Sequence, residues 1–304
     1  MHGTHQPGAE RAHRAPAGAI LAAVLLAAGS AARADLIAYE PFDYPVGGDI
    51  NGRNGGTGWI GPWQDMLGSA GRGDLITYTP GLTHALRPGT GGSLGATLGQ
   101  QALAYVRPFE RLLLDQQTVW MSMLYRGSGA SESVTMGLVF GTPNGFGSVP
   151  AIRSSAQGFY QLFVEGSQTA INLPVPGPSA NRTDLIVMQY EALGQNQLRF
   201  TAFLNPSNPT NPGTPMVTRT VTLATMEIAA FRMIYAGPSP SASSSARFDE
   251  LGIAETYPGL IPAPGAAALL GVLLLAGSRR RRCARGCAPK RRSPDGPAAP
   301  AERP

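Results

Sequence analysis

Between residues 35 and 260 the sequence has no cysteine and no lysine, and the only histidine there is His84. Without cysteine, that stretch forms no disulfide and offers no thiolate metal site, so its stability rests on burial. A lone histidine, in Leu82-Thr83-His84-Ala85-Leu86, completes no catalytic triad unless the fold brings a serine and a carboxylate to it, and it reads as structural or surface. A basic face is missing too. The same stretch has 12 arginines against 16 acidic residues, a net charge of −4, although the whole chain carries +5. The basic excess therefore lies in the two ends, and a nucleic-acid partner is excluded because the body has no face to neutralise phosphates.

What is present points to a packed β protein. Hydrophobic residues make up 43% of the chain, too many for disorder, and 39 Gly and 27 Pro without a three-residue period exclude collagen and favour a loop-rich sheet protein. From residue 35 onward, apolar residues alternate in short segments punctuated by Gly, Pro, Asn and Ser. The pattern predicts strands at 36–40, 75–79, 82–86, 102–107, 118–126, 133–140, 158–165, 184–191, 197–204, 216–221, 229–235 and 246–254. With no amphipathic helix among them, they give two stacked antiparallel sheets. Nearly every residue of 119–125 is apolar, as in a central strand covered on both faces. In 197–204 the residues Leu198, Phe200, Ala202 and Leu204 point one way and line the core. Proline-rich stretches at 174–179 and 205–212, and the Ser/Pro run at 238–245, are loops. Asn181-Arg182-Thr183 has the form of a glycosylation sequon but reads as a turn into the next strand.

The two ends read as addresses. Residues 1–34 hold Arg11 and Arg14, an apolar run from Ala19 to Ala28, and Ala32-Arg33-Ala34 before Asp35. This is the layout of a signal peptide cut after Ala34 by signal peptidase on the secretion route, with small residues at −3 and −1 for the peptidase cleft. An uncleaved N-terminal anchor is the alternative, against which the run is short. At the other end a linker, 258–264, leads through Pro262-Ala263-Pro264 into an apolar run at 265–278, then Arg279-Arg280-Arg281-Arg282. Counted from about residue 260, that run has 19 residues, close to the ~20 that a membrane-crossing helix needs. The four arginines hold the basic tail, 279–304, on the cytoplasmic side, and the body, 35–257, lies outside the cytoplasm. A buried core helix would need a polar face, which 265–277 lacks. Cys283 and Cys287, the chain's two cysteines, sit in that tail. They read as idle thiols. Palmitoylation or metal binding are the alternatives, the latter with only two ligands and no histidine nearby.

A Pro-x-Pro motif, a short apolar helix and an arginine cluster near the C-terminus resemble the PEP-CTERM sorting tail, over about residues 261 to 282. The resemblance implies an exosortase, a membrane protease that processes the tail near Pro-x-Pro and delivers the protein to the cell surface or extracellular matrix. Ala263 stands where that family most often has Glu, and the extension beyond the arginines is longer than usual.

Three stretches of the body, Ala38 to Trp63, Arg182 to Met188 and Arg247 to Ile253, resemble the concanavalin A-like, laminin-G-type jelly roll. That resemblance implies an all-β, two-sheet antiparallel jelly-roll sandwich in which the first and last strands pair. It also raises three functions. A glycoside hydrolase needs two carboxylates about 5 to 10 Å apart on one face, yet Glu-x-Asp-x-x-Glu is absent, and the adjacent Asp249 and Glu250 would alternate to opposite faces. The chain is therefore read as non-enzymatic. A carbohydrate-binding module uses aromatics to stack on sugars, and Asp43, Asp49, Asn51 and Asn54 cluster among glycines close to Trp59 and Trp63, as a calcium-bracing or sugar-contact loop. The other reading of those residues is that Asp and Asn bond their own turns while the tryptophans close one end of the core. The third function is a purely structural surface or adhesion module assembled with exopolysaccharide. Beyond calcium no cofactor is expected.

The address reading is tested by intact mass and cell fractionation of the native protein, with and without the sorting protease. The expected mature form begins at Asp35 and lacks everything after about Pro264. A membrane-bound form that keeps residues 283–304 would mean that Ala263 prevents processing and the body stays anchored.

Overall fold

The computed structural model describes residues 36–68, 74–89, 91–96, 102–127, 132–143, 150–164, 170–236 and 246–261. The residues assigned to signal cleavage (Ala32, Ala34, Asp35) and to sorting (Pro262, Ala263, Pro264, Arg279 to Arg282), the apolar run 265–278 and both cysteines lie outside them. Among the described residues no helix is long and apolar enough to cross a membrane.

Among the described residues fifteen strands and one short helix follow in chain order: β1 (Leu36–Glu40), β2 (Gln64–Asp65), β3 (Leu75–Tyr78), β4 (Ser93–Ala96), β5 (Leu103–Leu113), β6 (Thr118–Arg126), β7 (Ser133–Phe140), β8 (Pro150–Ser154), β9 (Tyr160–Val164), β10 (Ile171–Asn172), β11 (Asp184–Gly194), β12 (Gln197–Leu204), β13 (Val217–Thr222), β14 (Glu227–Ala236), β15 (Arg247–Ala254) and α1 (Tyr257–Leu260). They form an all-β sandwich of two antiparallel sheets. One sheet runs β13-β12-β11-β6-β15-β4-β3, with β1 also on β15, and the other runs β10-β9-β8-β7-β14-β5-β2. The first and last strands pair, with Tyr39 opposite Gly252 and Glu40 opposite Leu251.

The core lies between the sheets and follows the alternation of each strand. Met121, Met123 and Tyr125 of β6, Met188 and Tyr190 of β11 and Phe200 of β12 meet Met136 and Leu138 of β7 and Phe231 and Met233 of β14, all essentially without solvent exposure. Each such side chain contributes about 1.5–3 kcal/mol on burial. Three hydroxyls tie the sheets across the core and are satisfied there. Tyr190 Oη donates to the Pro150 carbonyl at 3.2 Å, Tyr125 Oη lies 2.8 Å from Ser154 Oγ, and Tyr160 Oη donates to Asp184 Oδ2 at 2.8 Å.

The segment 82–86 departs from the expected strand. It forms a turn in which His84 bridges Arg87, because the Leu82 N–H donates to the Asp249 carboxylate at 2.6 Å and not to a neighbouring strand. This turn covers part of the outer face of the eight-stranded sheet. Leu82 packs there with Leu124, Leu185, Val187 and Phe203, together with Tyr257 and Leu260 of α1. Trp120 stacks on Phe203 with ring centroids 5.9 Å apart and tilts against Tyr257 at 5.5 Å. The β6 strand is thus buried on both faces, as its unbroken apolar run predicts.

Asp249 and Glu250 also depart from expectation. A bulge between Asp249 and Gly252 interrupts the pairing of β15 with β6, and Glu250 takes a left-handed φ of 53°. The extra residue breaks the alternation and brings both carboxylates against Arg87, beneath the turn. The Arg87 guanidinium lies over the Tyr39 ring at 5.5 Å, with Nη1 bonded to Ser122 Oγ and Nε 3.6 Å from Glu250 Oε2. Tyr39 Oη donates to Glu250 Oε2 at 2.5 Å. Arg87, Asp249 and Glu250 are all buried, so these carboxylates hold the turn down and meet no substrate.

Burial, and after it the neighbouring Glu250 carboxylate, pushes the Asp249 carboxyl up to about 8 from its ordinary 3.8. Between those values the folded chain holds a proton that the unfolded chain has released, so this group's contribution to stability falls as pH rises from about 4 to about 8. In denaturant unfolding, the stability of the wild type relative to Asp249→Asn should therefore decline across that window by at least ~1.4 kcal/mol, the worth of one pKa unit. A pH-independent difference would show that the carboxyl titrates normally.

Candidate ligand face

The 79–89 turn and α1 cover part of one outer face; the other outer face of the sandwich belongs to the seven-stranded sheet. Its registers place outward positions in rows. One row runs Asn172, Gln161, Arg153, Thr135, Ile234, Ala104 across β10, β9, β8, β7, β14 and β5. The next runs Phe163, Ala151, Gly137, Arg232, Val106 and, on β2, Gln64. Val106, Val139, Ala151 and Ala230 form a small buried apolar cluster with Met66 against it. These small residues are fully covered, and the half-buried Thr135, Arg153, Gln161 and Phe163 lie beside them on the same face.

Three of those side chains are oriented by their neighbours. The Arg153 guanidinium lies over the Phe163 ring at 5.5 Å, and its Nε donates to Ser133 Oγ at 2.7 Å. Gln161 Nε2 donates to Asn172 Oδ1 at 2.8 Å. Thr135, Arg153, Gln161 and Phe163 are half-buried, while Arg232 is buried. Sequence reasoning named none of these residues. Arg153 sits on β8, which begins with a proline and was not predicted, whereas Arg232 is the one charge inside the predicted strand 229–235, opposite in phase to Phe231 and Met233. That lone charge is the signal the sequence did carry.

The residues singled out in the sequence go elsewhere. Trp63 is fully buried, stacked on Phe42 at 5.9 Å and edge-on to Phe231 at 6.0 Å, so it offers no face to a sugar. Trp59 is half-buried against Phe109 and Trp63, with Nε1 donating to the Tyr39 carbonyl at 3.0 Å. Asn51 and Asn54 are bonded within the fold, Asn51 Oδ1 accepting from the Asp65 N–H and Asn54 Oδ1 from Arg107 Nη2, both at 3.2 Å. Asp49 Oδ1 accepts from the Asn51 N–H at 3.1 Å and from Tyr105 Oη at 3.2 Å. Asp43 is exposed. Among the described residues no group of three or more His, Cys, Asp or Glu is placed to hold a metal.

This region is organised around a buried ion pair. Arg107 of β5 pairs with Glu40 of β1, both side chains fully removed from solvent, and its guanidinium lies over Trp59 at 4.8 Å and Trp63 at 5.5 Å. Glu40 also accepts from the Phe42 N–H at 2.8 Å, from Tyr44 Oη at 2.7 Å and from Trp63 Nε1 at 3.2 Å. Burial pulls the Arg107 guanidinium down to about 10, so it stays charged at neutral pH.

Two motifs with catalytic form are inert by position. Gly91-Gly92-Ser93-Leu94-Gly95 has the spacing of a nucleophile elbow. Ser93, however, starts a strand and is buried, with its hydroxyl donating to the Pro80 carbonyl at 3.4 Å. His84 accepts the Leu86 N–H at Nδ1, 3.3 Å away, and burial keeps its pKa below the usual imidazole range.

Arg107→Leu would leave the Glu40 carboxylate buried without its partner and should cost about 3–5 kcal/mol in denaturant unfolding. The double variant with Glu40→Gln should recover part of that loss. A single variant as stable as the wild type would show that the pair is not the support described.

No family model matches this chain, and no curated protein matches it. Solved structures of similar fold include the globular domain of calreticulin from T. cruzi, at 10% identity and a TM-score of 0.44, over 64% of this chain and 84% of that one. An endo-β-1,4-glucuronan lyase from Trichoderma reesei has 12% identity and a TM-score of 0.44, over 72% and 99%. An endo-1,3-β-glucanase from Streptomyces sioyaensis has 8% identity and the same score, over 72% and 95%. The similarity is loose and spans proteins of different activities, so neither a ligand nor a reaction passes from them to this chain.

Proposed function

We propose that this chain is an exported cell-surface or matrix protein, sorted by a PEP-CTERM/exosortase-type system, whose sandwich binds extracellular polysaccharide without transforming it. The observation that carries the reading is the half-buried row Gln161, Arg153 and Thr135 beside Phe163. Sugar recognition calls for such a surface: planar hydrogen-bonding groups held at fixed spacing, with an aromatic ring among them. The outward positions of its two rows carry no carboxylate, histidine, tyrosine or lysine, and this supports binding over hydrolysis, which needs a paired acid and base or nucleophile.

Retention on the immobilised matrix polysaccharide of the host tests the reading. Thr135→Trp places an indole between Arg153 and Ile234 in the row and should weaken binding at least tenfold, about 1.4 kcal/mol. Equal retention of variant and wild type would remove this face from the function. Release of new reducing ends from the polysaccharide would instead make the chain an enzyme, and no retention of either form would leave the structural, adhesion-type role.

A further inference from the structure

We propose that the ligand of this face is an acidic polysaccharide, and that Arg153 is the anchor for its carboxylate groups. The inference rests on the glycan reading of the face and adds the chemistry of the sugar. Arg153 is held rather than loose: its guanidinium plane rests on Phe163, and its Nε is tied to Ser133 Oγ. Among the described residues no carboxylate lies within ion-pair distance of it, whereas Arg87, Arg107, Arg111, Arg182 and Arg199 each have one. Its Nη1 and Nη2 hydrogens have no protein acceptor there. They form the edge of the guanidinium that takes a carboxylate through two parallel bonds.

The surroundings fit the same ligand. The neighbouring positions in the row are Gln161 and Thr135, both neutral hydrogen-bonding groups suited to sugar hydroxyls. The described positions of the two rows bring no carboxylate to the face. A neutral glycan would leave the half-buried guanidinium without a counter-charge, whereas a uronate-type carboxylate supplies it. Ordering has already been met in the free protein by the ring and the serine, so little side-chain entropy remains to be lost on binding.

The test uses the full chain and three soluble probes: a polyuronate, the same polymer after reduction of its carboxyl groups, and polyglutamate. The wild type is expected to bind the polyuronate at least tenfold more tightly than either other probe, and less tightly as ionic strength rises. Arg153→Gln should lose that preference, Arg153→Lys should fall between, and Arg219→Gln, which removes an exposed arginine on β13 of the other sheet, should match the wild type. Arg153→Lys keeps the charge and most of the packing, so it reads the anchor even where Arg153→Gln is unstable. If the reduced polymer binds as tightly as the polyuronate and the Arg153 variants change nothing, the carboxylate anchor is wrong and the glycan face stands. If polyglutamate binds equally well through Arg153, an acidic protein is the partner and the glycan reading fails. An equal loss in Arg219→Gln would reduce the effect to overall charge, and no binding to any probe would overturn both readings.

Discussion

The backbone pairing of Leu36–Glu40 with Arg247–Ala254 joins residues 211 positions apart, as the Tyr39 to Glu250 bond spans, and both buried charge networks hang from it. On the core side of that pair Glu40 reaches Arg107, which gathers Tyr44, Trp59 and Trp63 around one guanidinium. On the outer side Glu250 and Asp249 reach Arg87, which holds the turn at residues 79–89 over the sheet. Ion pairs removed from water give little net stability, because desolvation offsets most of their attraction. They do punish any register in which a charge loses its partner. A one-residue slip between the first and last strands would turn Glu40 outward and carry Tyr39 inward, breaking both networks together. The pairing is therefore specified by charge, where a cysteine-free body has no disulfide to specify it.

The absence of lysine acquires a reason in the same contacts. Among the described residues four arginines lie on aromatic rings: Arg107 on Trp59 and Trp63, Arg87 on Tyr39, Arg247 on Tyr78 and Arg153 on Phe163. A planar, weakly hydrated guanidinium stacks and still presents its N–H edge to an acceptor, and a compact ammonium does not do both. Three of these arginines stay within the fold, bonded to Glu40, to Glu250 and Ser122, or to the Ala246 carbonyl. Arg153 repeats the arrangement on an outer face with its terminal hydrogens unmatched. That difference separates a structural arginine from a recognising one.

Strands with a dense or cleanly alternating apolar pattern were legible in the sequence. The expected 36–40, 118–126, 133–140 and 197–204 coincide with β1, β6, β7 and β12 to the residue. The strands that escaped are short or begin on residues that deny a strand: Gln64–Asp65 and Ile171–Asn172 have two residues each, Ser93–Ala96 contains a glycine, and Pro150–Ser154 opens on a proline. Residues 82–86 alternate like a strand, yet their first N–H goes to a carboxylate 167 positions away, and no local pattern carries that. Trp59 and Trp63, close in the sequence, pack against each other, but the closing of their box by Arg107 from β5 is non-local. The candidate face needed β8, which the sequence did not show, and so Arg153 had no sheet to stand on.

Charge distribution decides how such a face can work. The body carries a net −4, which alone would repel an acidic polymer at long range. Screening at physiological salt confines that repulsion to about 8 Å, whereas a carboxylate seated on a guanidinium meets its charge at hydrogen-bond distance and in a partly desolvated site. The short-range term wins only where the arginine is already oriented, since a free side chain would have to be ordered against the same repulsion. Selectivity for carboxylates then comes from the position of one held guanidinium among neutral neighbours, while the net negative charge of the body gives no general attraction for polyanions.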